Sequence, residues 1–520
     1  MALRWLFISF PLMPNDALKK PELVDWHTLT ISISVILLLS ALLFLFPERS
    51  NRGIEIAFEF LTRRLGWLYI GFGILTMLFL IGLAMSPYRN IQLGPRGQPP
   101  RYSGLTWAGM LFSTGIGTAL LYWGTIEWID YYLNPPFDVE PKSREAHQWA
   151  MSYGMFHWGF IGWGFYALSA VCFSHAYYVR KESSPSLANA CAPILKTAVY
   201  RWPGRLVNAI FMVGLIGSAS TGLGLTTPLI TESFKTFFGL EPSFGFTIGS
   251  IVLIITLIAL SVSFGLDRGI KRLSNCNLLL MFAILGLVYF SGPTLAITKQ
   301  GFESITFMVT KFPAMSGIYY PGENAAFTES WTVFYWAWWI AFGPFVGMFI
   351  SKISGGRTLG QLIWGVLGYG TLGCMLCFII FGGYASILEH QQGVEIIKTF
   401  NENRHAAVVQ VMTSLPLGQW ILPLFFLLCI SFAATTYDSA SYTLALAGSR
   451  SICKNQDPAR WHRVLWAITL GILPLSILSI GGQSQVLVGL QTISVVVSVP
   501  MLVISTLMTA SLIKSLAERK

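Results

Sequence analysis

Most residues of this 520-residue chain that could do chemistry within an apolar setting are aromatic. Trp331 to Val346, WTVFYWAWWIAFGPFV, holds four Trp, one Tyr and three Phe inside a run long enough to cross a bilayer. A second group, Trp158, Trp163 and Tyr166, is spaced +5 and +3, which on one continuous helix puts three rings on roughly the same side. Rings at a membrane surface are ordinary anchors. Rings through the middle of a span need another reason, and a cage of ring faces that holds a cation without an acidic partner is one. Adjacent Trp338 and Trp339 must point about 100° apart, so one can face a cavity while the other packs. Trp331 and Tyr335 fall near the outer end of their span, as interface anchors would. Pro344 after Gly343 weakens the helix beside Phe345 and Val346.

Polar residues within the apolar runs form the other candidates. Ser113 to Thr118, including Thr114, Gly115, Ile116 and Gly117, is small and Gly-rich in mid-span. Such a stretch either packs closely against a neighbour or unwinds, and unwinding frees carbonyls for a ligand or an ion. Thr435 and Thr436 offer hard oxygen ligands of the kind an alkali cation accepts, or hydroxyls that bond back to their own helix. Asp438 lies within the same span and is expected to be functional or structural: a proton carrier, a balance to a cation, or a cap on a broken helix. His157 reads as a hydrogen-bonded structural histidine. Cys374 and Cys377 form a CxxC inside a span with no flanking metal ligands, and read as small buried residues. Lys271 belongs to a short basic loop that is a topology signal or reaches inward.

These residues need a scaffold of membrane helices. The chain is 54% hydrophobic and 11% charged, against about 25% charged in soluble proteins. Twelve apolar spans are expected at 27–46, 65–87, 104–133, 147–179, 203–235, 244–264, 274–298, 330–352, 359–386, 417–449, 460–480 and 485–513. With the N-terminus inside, the loops on that side carry roughly two thirds of the 34 Lys and Arg. Both termini are therefore expected in the cytoplasm. The net charge of +10 reads as this bias and not as a nucleic-acid footprint. No GxxxxGK[ST] appears, which argues against a built-in ATP motor. A channel would need a continuous polar lining, and a membrane enzyme a cluster of His, Asp or Glu across spans. Gly301 to Phe312 has helical periodicity and is expected to lie along the outer surface.

The segment Trp331–Trp339, Phe156-His-Trp158 with Trp163, the third span ending Tyr122-Trp-Gly-Thr-Ile-Glu127, Phe345-Val-Gly-Met-Phe and Ile353-Ser-Gly-Gly-Arg357-Thr together resemble the betaine/carnitine/choline transporter family over about residues 27–513. The resemblance implies an all-α membrane protein of twelve transmembrane helices, with two additional helices (27–87) before leucine-transporter-like five-helix inverted repeats at 104–298 and 330–513. Segment 299–329 would be an outer amphipathic element, 1–26 and 514–520 cytoplasmic ends, and the assembly a homotrimer in the inner membrane of a bacterium. It implies alternating-access transport of a quaternary ammonium solute held in a box of Trp158, Trp163, Tyr166 and Trp338, with backbone near Gly115, Gly117 and Thr118 meeting the rest of the substrate. No cofactor is implied; sodium, as the coupling ion, would sit at Thr435 and Thr436 with carbonyls around Thr114 and Ile116. A second site would use Phe345 with Ser218 or Thr221. Sodium-independent carnitine exchangers carry an arginine and a methionine near the vacant ion site, where this chain is read as having Lys271 and Val346. Those two residues and Asp438 are thus the expected coupling and gating positions. Betaine, carnitine and choline all remain open as substrates.

Overall fold

The computed structural model describes residues 23–115, 117–182, 186–241, 243–264, 269–318, 320, 322, 325–451, 457–479 and 483–518. It is an all-α, multi-pass membrane architecture. The helices run α1 (Trp26–Leu45), α2 (Pro47–Met85), α3 (Gly104–Gly115), α4 (Thr118–Leu133), α5 (Arg144–His157), α6 (Phe160–Ser174), α7 (Trp202–Phe238), α8 (Phe244–Phe264), α9 (Gly269–Ser291), α10 (Thr294–Met315) and α11 (Val333–Ile353). A run of short α- and π-helical turns follows over Leu359–Gln391, then α12 (Arg404–Thr413), α13 (Gly418–Ala447), α14 (Arg460–Leu478) and α15 (Gln483–Ala517). The β structure among the described residues is a short antiparallel pair, Leu23–Val24 with Ser449–Ser451, and an isolated bridge, Gln92 to Thr358.

Nine helices are long and apolar enough by themselves to cross a membrane among the described residues. The expected third and fourth spans are each split, so neither half reaches that length, and the sixth is represented by a shorter apolar helix, Gly245–Ser261. In the third, α3 ends at Gly115 and α4 begins at Thr118, with Gly117 extended between them (φ −135°, ψ −176°). This is the unwinding that the Gly-rich stretch foreshadows. In the fourth, α5 ends at His157 and α6 begins at Phe160. The chain turns at Trp158 and Gly159, so Trp158 does not share a helix with Trp163 and Tyr166 and the +5, +3 spacing does not align the three rings. Gly159 permits the turn, since a Cβ there would come within 2.6 Å of the Met155 carbonyl oxygen.

Both ends of the described chain lie on one face. Asp25 N–H donates to the Gly448 carbonyl (2.8 Å), Arg205 pairs with Asp25 (3.4 Å) and Lys514 donates to the Pro193 carbonyl (3.0 Å). Loops near residues 101 and 355 join each other on the same face, where Arg101 N–H donates to the Gly355 carbonyl (3.0 Å). We call this the termini face. On the opposite, far face lies α10, the amphipathic element expected at 301–312, here a full helix. It buries Ile297, Gly301, Ser304 and Met308 and exposes Leu295, Phe302 and Val309. The far face also carries α12, latched to α4 by a bidentate pair between Arg404 and Asp130 (2.7 and 2.8 Å).

One close approach in the bundle is α11 against α6. A Cβ added at Gly347 would meet Ser169 Cβ at 2.5 Å and the Ala170 backbone nitrogen at 2.8 Å. Backbone cannot yield as a side-chain tip does. Gly347→Val is therefore expected to destabilise the fold by about 3 kcal/mol or more, read as a lowered thermal unfolding midpoint in detergent. An unchanged midpoint would mean that the two helices have room to spare.

Candidate functional site

A cavity of about 440 Å³ opens between α4, α6, α7, α9, α11 and α13, within the roughly 300–1,000 Å³ range of small-molecule sites. Its wall of rings is Trp158, Tyr166, Trp338 and Trp339. Trp158 stands edge-to-face to Trp338 (ring centroids 5.7 Å, 90°) and to Trp339 (5.7 Å, 74°), and Tyr166 lies 4.5 Å from Trp339. Perpendicular rings present both faces and edges to the space between them, and ring faces attract cations.

The structure redistributes the expected box. Trp163 is fully buried and stands behind the wall, 5.4 Å from Tyr166 and 5.9 Å from Trp339. Its ring fills the place where Gly370 has no side chain. Trp339, the member of the adjacent pair left over for packing, joins Trp163 and Tyr166, because Gly162 leaves room for its ring (2.6 Å from a Cβ there). Trp338 turns the other way and donates its Nε1–H to the Ser218 carbonyl (3.1 Å), yet still lines the cavity. Trp331 and Tyr335 are not interface anchors. Tyr335 is fully buried, and Trp331 meets Tyr131 and Trp123 edge-to-face at 4.9 and 6.0 Å.

Of the residues expected around the substrate and the ion, Thr114 and Gly117 line the cavity, as do Ser218, Phe345, Val346, Thr435 and Thr436. Gly115 is the last residue of α3. Ile116 lies outside the described residues, and so do the side chains of Thr118 and Lys271. Thr114 donates back to the Met110 carbonyl (2.6 Å), and Thr435 to the carbonyls of Ser431 and Phe432 (3.0 Å each). Thr435 Oγ1 also accepts from Asn277 Nδ2 (3.1 Å), and Ser431 donates to Asn277 Oδ1. The side chain of span seven that reaches this corner is thus Asn277. Its one signal in the sequence is an amide inside the apolar run Asn275-Cys-Asn277-Leu-Leu-Leu-Met. Thr221 turns from the cavity to α15, bonding the Leu490 carbonyl (3.0 Å) and Ser494 (2.8 Å), so the second ion site is not assembled with it.

Asp438 is buried off the cavity. Its Oδ1 accepts from Arg463 Nη2 (2.8 Å) and its Oδ2 from Ser261 (2.6 Å), tying α13 to α14 and α8. Arg463, near the start of the expected span 460–480, is buried with it. Tertiary pairing across two spans is not visible in either residue's local pattern.

The cavity reaches toward the termini face, where Lys352, Tyr442, Thr443 and Leu446 line it. Lys352 Nζ sits 5.1 Å from the Tyr442 ring centroid. Toward the far face it is closed by a layer of fully buried side chains: Trp123, Glu127, Tyr131, His157 and Tyr335. Glu127 is the acceptor at its centre. Oε1 accepts from Tyr131 (2.5 Å), while Oε2 accepts from Tyr335 (2.7 Å) and from Trp158 Nε1–H (3.1 Å). His157 bonds Tyr131 (2.9 Å) and Thr332 (3.0 Å), the structural role read for it.

Comparison with known proteins agrees with this architecture. The family model described as BCCT, betaine/carnitine/choline family transporter, matches residues 27–520. An uncharacterized transporter YeaV of Escherichia coli K12 is 33% identical over 437 residues, covering 83% of this chain and 89% of its own. A carnitine transporter of Acinetobacter baumannii is 31% identical over 450 residues, 86% of this chain and 80% of its own. The chain belongs to the betaine/carnitine/choline transporter family.

Proposed function

We propose that this transporter moves a quaternary ammonium solute of the carnitine, betaine or choline type, by sodium-coupled symport with alternating access. The observation that carries the reading is the cavity wall of Trp158, Tyr166, Trp338 and Trp339, with no acidic residue lining it among the described residues. A trimethylammonium head cannot donate conventional hydrogen bonds and spreads its charge over methyl groups. Ring faces suit both properties, at ~1–2 kcal/mol per desolvated contact. The remainder of the substrate would face the break between α3 and α4. The name carried by the Acinetobacter relative favours the carnitine type.

In this reading the cavity open to the termini face is one end state of the cycle, and opening of the far-side layer gives the other. The inverted repeats would run from α3 to α9 and from α11 to α15. The protein would work as a homotrimer in a bacterial inner membrane with both termini in the cytoplasm.

The coupling ion would use Thr435 and Thr436. Thr435→Ala combined with Thr436→Ala is expected to abolish sodium stimulation of uptake, measured in proteoliposomes with and without a sodium gradient. One observation favours a second reading, sodium-independent exchange. The Thr435 hydroxyl already gives its proton to its own helix and accepts from Asn277. Uptake of labelled carnitine, betaine and choline, with and without sodium and with internal counter-substrate, tests the whole proposal. No uptake of any of the three would refute it. Uptake indifferent to sodium but dependent on internal substrate would replace symport by exchange.

A further inference from the structure

We propose that Glu127 is the hidden counter-charge of the aromatic box, a positioning residue that acts on the bound cation through the Trp158 indole. This rests on the quaternary ammonium reading and deepens it. Among the described residues, the cavity lining holds one charged side chain, Lys352 near the termini face, and no acid. Rings alone would then have to hold a cation in a space whose one charge among the described lining residues is positive. Glu127 alters that balance from one layer back in its ionised form, which three hydrogen-bond donors and a cation bound nearby favour over the neutral acid. It is fully buried, and its Oε2 accepts the Trp158 Nε1–H at 3.1 Å. The same indole has its ring in the cavity wall, 5.7 Å from both Trp338 and Trp339.

Two effects follow. A carboxylate on the indole N–H polarises the ring and makes its face more negative, which strengthens the attraction for a cation above it. The charge also acts directly through a poorly screened interior, where an opposite charge one ring away is felt far more strongly than in water. The other donors define the carboxylate's orientation. Tyr131 bonds Oε1 and Tyr335 shares Oε2, so the oxygen that meets Trp158 has little freedom to leave it. With Lys352 at the opposite end, the field along the cavity runs from positive near the termini face to negative behind the box. A zwitterion placed with its ammonium in the box and its carboxylate toward Lys352 lies along that field, whereas a simple cation gains at one end only. The arrangement therefore favours trimethylammonium carboxylates over amino alcohols.

The test compares two ligands that differ by one atom: 4-(trimethylammonio)butanoate and its carbon isostere 5,5-dimethylhexanoate, with binding measured calorimetrically on purified protein. Glu127→Gln keeps the size of the side chain and one acceptor oxygen but removes the charge. It is expected to lower the preference for the ammonium ligand about tenfold, leaving the affinity for the carbon isostere within about twofold of wild type. Glu127→Asp, which retains the charge, should recover part of the preference. A merely structural role would weaken both ligands together. An unchanged preference in Glu127→Gln overturns the proposal, since the group then carries no charge that the box feels. Tyr335→Phe serves as a second variant should Glu127→Gln not fold. It removes a donor and leaves the charge, so the preference should stay at the wild-type level or rise. A fall overturns the proposal. If the wild type binds the two ligands equally, the quaternary ammonium reading itself fails. If the wild type discriminates and Glu127→Gln discriminates as well, only the role of Glu127 is lost.

Discussion

Replacing Trp158 with alanine is expected to raise the dissociation constant for a trimethylammonium ligand about thirtyfold, a loss of ~2 kcal/mol. No other ring of the wall touches both members of the adjacent pair, Trp338 at 5.7 Å and Trp339 at 5.7 Å. It also occupies the turn between α5 and α6, so its ring is placed by backbone geometry and by its bond to Glu127. Tryptophan fluorescence or calorimetric titration of the purified variant gives the constant directly. Circular dichroism and gel filtration establish that the variant is folded. A folded Trp158→Ala protein that binds as the wild type does would remove the box from the substrate's path. Trp163→Ala should behave differently. Trp163 stands behind the wall, so its truncation leaves a void under Tyr166 and Trp339 and lowers stability along with affinity.

The largest effect on stability is expected at Arg463. Arg463→Met leaves the Asp438 carboxylate buried with Ser261 as its remaining hydrogen-bond partner in the structure described. Breaking one side of such a pair costs roughly 3–5 kcal/mol, mostly from the uncompensated charge. The expected result is little folded protein in the membrane and a thermal midpoint lowered by many degrees in detergent. Adding Asp438→Leu should restore much of the loss, because a well-packed apolar pair is about as stable as the ion pair it replaces. If Arg463→Met is stable alone, the pair carries little of the connection between α13 and α14. Full transport by the double variant would show that Asp438 has no part in coupling.

Both predictions turn on residues that the sequence shows only in part. Hydropathy placed the long apolar helices well, since a bilayer demands such runs. The Gly-rich stretch before Thr118 gave away its own break for a local reason, the lack of side chains. The break at Trp158 was hidden because helical spacing assumes a continuous helix. Once the chain turns there, a different pair of helices faces the third ring, and the box gains Trp339. Asp438 could be flagged as costly in a membrane, but its partner lies on the next span, and no local rule connects them. Glu127 and Asp130 look like outer-side acids at a span's end, since both sit in the aromatic stretch Tyr122–Tyr132. Only packing shows that Glu127 is sealed and that Asp130 is latched to Arg404.

The one-sided cavity also decides where voltage acts. Water and ions entering from the termini face would bring that side's potential up to the aromatic wall, concentrating the potential drop across the fully buried layer of Trp123, Glu127, Tyr131 and Tyr335. A charge crossing that layer senses nearly the whole membrane potential, about 2.3 kcal/mol per 100 mV, while one moving between the box and the termini face senses little. In the alternating-access cycle proposed above, the electrical work would therefore be done at that far layer, and release into the cavity would be nearly voltage-independent.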